Sequence, residues 1–319
     1  MKRLIAWILM SVLLLSATAC SNKTEGTVSS VPLQPEGYVF IDALARTVTV
    51  NEPQRVAALM GSFAQVWLLA GGDLTAVTQD AVSEHELELA SDIRVIGTYK
   101  SPSLELLLAS EPDFVILSAN SAQHMALLEP LEQAGIPTAC FYVNSFEDYL
   151  HMLDICTQIT GRRDLYDING LAVRKQIDPI LDSVPEGVSP RILLLRASSS
   201  ISVRAKNSQD TVAGVILKEL GCVNIADSNT GLLEELSLES ILYQDPDYIF
   251  VVTQGSDTEG ALNTLQETLT SHPAWASLRA VSEQRYFILD KQLFHYKPNA
   301  RWGESYEILA EILYGTQSE

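Results

Sequence analysis

The chain has 319 residues, too many for one small core and suited to two domains of ordinary size. Hydrophobic residues make up 47% of it and charged residues 19%, which describes a folded globular protein rather than a disordered one. A formal charge of −19 argues against nucleic acid as a partner, because most of such a surface repels a phosphate backbone; an anionic ligand needs a local basic pocket.

Residues 1–19 read as an export signal. Lys2 and Arg3 form a positive start, residues 4–15 are apolar but short for a membrane span, and Ser16-Ala17-Thr18-Ala19 precede Cys20. Residues 20–37 are polar and small, with Pro32 and Pro35, and read as a flexible tether. The later cysteines, Cys140, Cys156 and Cys222, are an odd set inside apolar-rich stretches, so buried free thiols are expected.

A first lobe is expected over residues 38–160. It opens with a hairpin over 39–50 whose turn is 42–46, then a strand at 55–59 and a helix at 63–70 stopped by Gly71-Gly72. A strand at 74–78, an acidic stretch and Val95-Ile96-Gly97 follow, then a helix begun by Ser103-Leu104-Glu105. A strand at 114–117, a helix at 124–134 and a strand at 138–143 complete the lobe. Residues 161–185 hold an interlobe helix. Ser145 and Asp148 form a capping box for the helix before it, Gly161 interrupts, and apolar residues recur at helical spacing over 164–181, roughly 27 Å of helix.

The second lobe, residues 186–319, repeats the plan. It has a strand at 191–195, a polar loop at 196–210, a helix at 211–220, a strand at 223–225 and a helix at 233–243 containing Ser237-Leu238-Glu239. A strand at 248–253, a helical stretch at 262–278 broken at Pro273, a strand at 285–289 and a closing helix at 300–314 follow. In both lobes Pro-Asp stands nine positions after the Ser-Leu-Glu serine, as Pro112-Asp113 and Pro246-Asp247. The expected fold is α/β: two similar lobes, each a mainly parallel sheet flanked by helices, joined by a long rigid helix.

The placement of Cys20, the segments "FIDALARTVTV" and "RVAALMGSFAQVWLLAGG", the two Ser-Leu-Glu to Pro-Asp stretches, the central helix and "FHYKPNARWGESYEILAEIL" resemble substrate-binding lipoproteins of ATP-binding-cassette importers. The group is the one that carries ferric siderophores, cobalamin or haem. The resemblance implies a ligand held between two lobes with little hinge closure, and lipidation of Cys20. It implies a cell-envelope location at the outer face of the cytoplasmic membrane and a monomer. It further implies that Glu105 and Glu239, one per lobe, dock on the permease dimer, which works with its ATPase. A glutamate in a first helical turn also complements the helix dipole, so the two roles coexist.

Ligand contacts are expected from loops at the carboxyl ends of the strands. The candidates are Ser62, Tyr99 and Lys100 from the first lobe and Arg196, Arg204, Lys206, His295, Tyr296, Lys297, Arg301 and Trp302 from the second. Arginine forks and lysines suit anionic chelate oxygens, and aromatic rings pack on chelator arms. The expected cargo is a ferric siderophore-type chelate, with cobalamin or haem as the alternative and zinc or manganese as a weaker rival. No resident cofactor is expected, no histidine pair has metal-ligand spacing, and no nucleotide-binding or hydrolase motif points to an enzyme.

Overall fold

The computed structural model describes residues 37–315; the export signal, Cys20 and all but the last residue of the tether lie outside the described residues. The hairpin β1 (Tyr38–Ile41) and β2 (Thr47–Val50) comes first. Five strands build the first sheet: β3 (Val56–Ala58), β4 (Leu74–Val77), β5 (Arg94–Val95), then, after the small antiparallel hairpin β6 (Gly97–Thr98) and β7 (Ser101–Pro102), β8 (Phe114–Ser118) and β9 (Thr138–Phe141). Their order is β5-β4-β3-β8-β9, and every pairing is parallel. The second sheet uses β10 (Arg191–Ser198), β11 (Arg204–Lys206), β12 (Val223–Asn224), β13 (Tyr248–Gln254) and β14 (Tyr286–Leu289). Its order is β11-β10-β13-β14, with β12 also on β10, and only β11 runs antiparallel.

The duplicated stretches fold alike because their local signals are the same. Ser103 and Ser237 each cap a helix, Leu104–Leu108 and Leu238–Gln244, by accepting from the backbone N–H three residues on. Pro-Asp then leads into the central strands β8 and β13, and the aspartates Asp113 and Asp247 each accept from the backbone N–H of the strand start, at Arg55 and Arg191.

Residues 163–182 are helical without interruption, as Arg163–Tyr166, a wider π turn at Asp167–Leu171, and Ala172–Asp182. Gly161 in left-handed conformation ends the preceding helix, Phe146–Thr160, whose N-terminus carries the Ser145–Asp148 capping box. The 163–182 helix holds to the first lobe at its start, where Asn169 donates to Leu69 O and accepts from the Tyr149 hydroxyl at its own backbone oxygen. Its end packs on the closing helix Trp302–Tyr314. Gly170 packs closely there; a Cβ would lie 2.9 Å from Leu150 Cδ2 and require that side chain to shift.

One apolar core runs through both sheets. It passes from Phe40 and Phe141 through Tyr149 and Leu153, then Val173 and Ile177 of the joining helix, to Ile192, Phe250, Trp302 and Tyr306. Satellite cores lie on the outer faces, around Leu107 in one lobe and Ile241 in the other. Cys140, Cys156 and Cys222 are buried free thiols.

Residues 196–210 depart from the expected polar loop. β10 continues to Ser198 and Arg204–Lys206 returns antiparallel beside it, because Val203 and Ala205 alternate inward while Arg204 stays exposed. The 124–134 helix is two short ones, Ala122–Met125 and Leu128–Gln133.

The β1–β2 turn is clamped by Asp42. Its carboxylate accepts from Leu44 N, Arg46 N, the Arg46 guanidinium and Cys140 N, tying the hairpin to β9. Burial pulls its pKa up, but the Arg46 hydrogen bonds, that of Cys140 N and the Arg46 charge outweigh burial and leave it lowered. Asp42→Ala is expected to cost about 2–4 kcal/mol at neutral pH, read as a lower urea midpoint. With the folded-state pKa below an unfolded value of roughly 3.9, this contribution is complete above that pH and is lost as pH falls through the folded-state value.

Candidate ligand-binding site

A cavity of about 600 Å³ lies between the two sheets at the carboxyl ends of their strands. The first lobe supplies Ser62 after β3, Gln79 to His85 after β4, the Thr98-Tyr99-Lys100 turn of the β6–β7 hairpin, Asn120 after β8 and Asn144 after β9. Arg196 on β10, Asp210, Gln254 at the end of β13 and His295-Tyr296-Lys297 line it from the second lobe.

Of the residues expected from sequence, Ser62, Tyr99, Lys100, Arg196, His295, Tyr296 and Lys297 meet in this cavity. Four others do not line it. Trp302 is fully buried in the shared core, packed on Phe146 and Tyr306, because it lies on the inward face of the closing helix with Tyr306, Leu309 and Leu313. Arg301 is exposed and forked onto Glu304. Arg204 and Lys206 stand on β11, Arg204 directly across from Arg196, and they act on the cavity through their charge alone.

Direct contacts between the lobes hold the cavity floor. Asn299, left-handed at φ 54°, donates to Ser62 O at 3.0 Å and to Gln65 Oε1 at 2.6 Å. Gln292 Nε2 donates to Glu84 O at 2.6 Å, and Lys297 Nζ donates to Asn144 Oδ1 at 2.9 Å. On the first-lobe side, His124 accepts from Ser118 N at Nδ1, which leaves its Nε2–H to donate to Tyr99 O and so set the Tyr99 turn.

The charges around the cavity fall into two groups. Burial first, then Arg196, Lys297, Lys291 and Lys206, push the His295 pKa down to about 3, so its imidazole is neutral at physiological pH. Burial lowers Lys297 to about 8, opposed by Asp148. Burial and then Arg204 lower Arg196. On the opposite side burial takes His85 down to about 4 against the pull of Asp80, and Tyr296 is raised by burial and by the neighbouring Glu84 and Asp80.

Residues 56–293 match the family model described as "Periplasmic binding protein". The chain belongs to the periplasmic binding protein family. It is 26% identical over 294 residues to the Fe(3+)-citrate-binding protein YfmC of Bacillus subtilis, with 89% of each chain covered. The siderophore-binding protein BauB, solved with ferric iron and two acinetobactin molecules, superposes with a TM-score of 0.69 at 17% identity, over 89% of this chain and all of that one. The haem-binding protein RhuT of Roseiflexus superposes with a TM-score of 0.66 at 20% identity, over 82% of this chain and 98% of that one. At those identities the two structures speak for the fold.

Within this periplasmic binding protein, sequence reasoning missed Asp80, Glu84, His85 and Asn144. Residues 79–93 carry no clear period, and nothing local shows that they fold over the first helix, Gly61–Leu69. The signal that could have found them is Gly61. A Cβ there would lie 2.6 Å from His85 Cδ2 and 2.7 Å from Ala81 N, so only glycine admits the Asp80 segment, whose Oδ2 accepts from Gly61 N–H at 2.6 Å. Gly61→Ala is expected to displace this wall and cost roughly 1–3 kcal/mol by overpacking. A drop in melting temperature checks it; unchanged melting contradicts it.

Proposed function

We propose that the protein is an extracytoplasmic receptor, anchored by lipid on Cys20, which captures a ferric siderophore-type chelate between its lobes and delivers it to an ATP-binding-cassette importer. The observation that carries this reading is the cavity itself. It is large enough for a small chelate, shared by both lobes, and lined by basic and acidic side chains without salt-bridge partners among the described residues: Lys100, Arg196 and Lys297 with Asp80, Glu84 and Asp210. Arg196 and Lys297 offer donors to chelate oxygens, and Tyr99 offers a ring face. The cations around His295 disfavour a bare divalent metal there.

Haem is the second reading, favoured by neutral His295 and by the ring contacts of Tyr296 with His85 and His295 at 5.3 and 5.2 Å. The ferric chelate remains preferred. An apolar macrocycle packed on Asp80 and Glu84 would bury their charge without compensation.

For delivery, Glu105 and Glu239 are exposed in the first turns of the paired Ser-Leu-Glu helices. One carboxylate per lobe suits a two-fold permease dimer with its ATPase, and such contacts favour orientation and on-rate. Reversal of both charges is expected to abolish cellular uptake of labelled iron chelate while leaving ligand affinity unchanged; retained uptake contradicts the docking role.

Fluorescence quenching of the buried tryptophans by ferric hydroxamates, ferric catecholates, haem and cobalamin tests the cargo. Ferric chelates should bind most tightly, and tighter haem binding contradicts the reading. Affinity for an anionic chelate should also depend on pH. Free Lys297 loses its proton above about 8, so affinity falls as pH rises through that value, by at most about tenfold per unit. Lys297→Met should bind more weakly at pH 7 and show no such fall; a wild-type profile flat to pH 10 contradicts the role given to Lys297.

A further inference from the structure

Asp80 and Glu84 stand four residues apart across the short helix Asp80–Ser83 and its C-terminal cap, and both line the cavity. Like charges at that spacing repel, so their placement is unfavourable unless a cation or hydrogen-bond donor meets them. Within the protein only the Gly61 N–H and the Tyr296 hydroxyl approach them among the described residues, and no cation does. Asp80 caps Gly61 with Oδ2, its Oδ1 is buried without a partner, and neither carboxylate has an ion-pair partner among the described residues. Beside them, Ser62 lines the same cavity with a fully buried side chain, and its Oγ makes no hydrogen bond. The Tyr296 hydroxyl is likewise buried and stands beside the Glu84 carboxylate, whose hydrogen bond and charge help raise its pKa, although the two do not meet in good hydrogen-bond geometry.

The opposite charge lies across the His295–Tyr296 pair. His295 feels Arg196, Lys206, Lys291 and Lys297, whereas its neighbour Tyr296 feels Glu84 and Asp80. Basic groups thus gather on the His295 side of the cavity, with Asp210 beside Lys206 among them, and Asp80 and Glu84 on the Tyr296 side.

We infer that Asp80 and Glu84 form a subsite for a protonated amine of the captured chelate, opposite the Arg196 and Lys297 end that receives its anionic oxygens. The inference rests on the chelate-capture reading and narrows it: the cargo is amphoteric, not polyanionic. An ammonium carries three donors and no acceptor, which matches the carboxylate and hydroxyl oxygens left without donors on this wall. Removing the ammonium strands two carboxylates, so the subsite discriminates against neutral and anionic analogues as well as favouring the cation.

The test is calorimetry at pH 7 on the mature chain with three probes: a ferric trihydroxamate ending in a primary ammonium, the same chelate with that amine acetylated, and ferric citrate. Acetylation is expected to weaken binding at least tenfold. The ratio should fall to near one in the Asp80→Asn, Glu84→Gln double variant, with its melting curve verifying the fold; Glu84→Gln alone, expected to reduce the ratio, replaces it if the double variant does not fold. Equal wild-type affinity for the ammonium and acetylated chelates, tightest binding of ferric citrate, or a ratio that survives the substitutions overturns the subsite and leaves chelate capture standing. Failure of all three probes to bind overturns both.

Discussion

Continuity of the apolar core across the two sheets is the constraint from which the rest follows. Val173 and Ile177 of the joining helix sit in the same cluster as Tyr149 on one side and Ile192 and Trp302 on the other. Opening the lobes wide would expose that surface to water at roughly 25 cal/mol per Å². The lobes are therefore held at nearly fixed separation, and the hydrogen bonds from Asn299, Gln292 and Lys297 to the first lobe act within that limit. A preformed cavity is the consequence, and its selectivity has to come from the groups already lining it.

Those groups are organised by the same framework. Parallel strands bring their carboxyl ends together, so loops from distant parts of the sequence converge on one crevice. Gly61 lets the Asp80 segment lie against the start of the first helix, and the segment after β14 brings His295, Tyr296 and Lys297 up from the other side. Charges of both signs then stand around one space without salt bridges among the described residues. Arg196 and Lys297, partly buried in the cavity and without a salt bridge among the described residues, are costly to keep charged there without a ligand. The outer faces carry the duplicated Ser-Leu-Glu helices, so in the proposed function recognition and delivery use separate surfaces of the same lobes.

Much of the fold was legible because its signals are local. The two capped helices, the Pro-Asp stops, the 42–46 turn and the Ser145–Asp148 box each depend on residues within a few positions of one another. Strand and helix order follows from them. The site was legible only in part. The basic and aromatic residues near His295 and the Tyr99 turn were visible as types in the right loops, but burial decides which of them face the cavity. Trp302 had a readable contrary signal, its spacing to Tyr306, Leu309 and Leu313 on one helix face. Arg204 and Lys206 lie away from the cavity because the alternation of Val203 and Ala205, too short to stand out from a polar loop, pairs Arg204–Lys206 with β10. Asp80, Glu84 and His85 gave no local signal; their position is set by Gly61 and Gln292, far away in sequence.

In the proposed function iron arrives already chelated and is held between the lobes by side chains of both. Anomalous diffraction at the iron edge, from crystals grown with an ammonium-bearing ferric trihydroxamate, tests it most directly. One iron peak is expected inside the cavity, with chelate atoms and not protein ligands around the metal, and density reaching both Arg196 and Asp80. Iron bound directly by protein side chains, or found only outside this cavity, would contradict it.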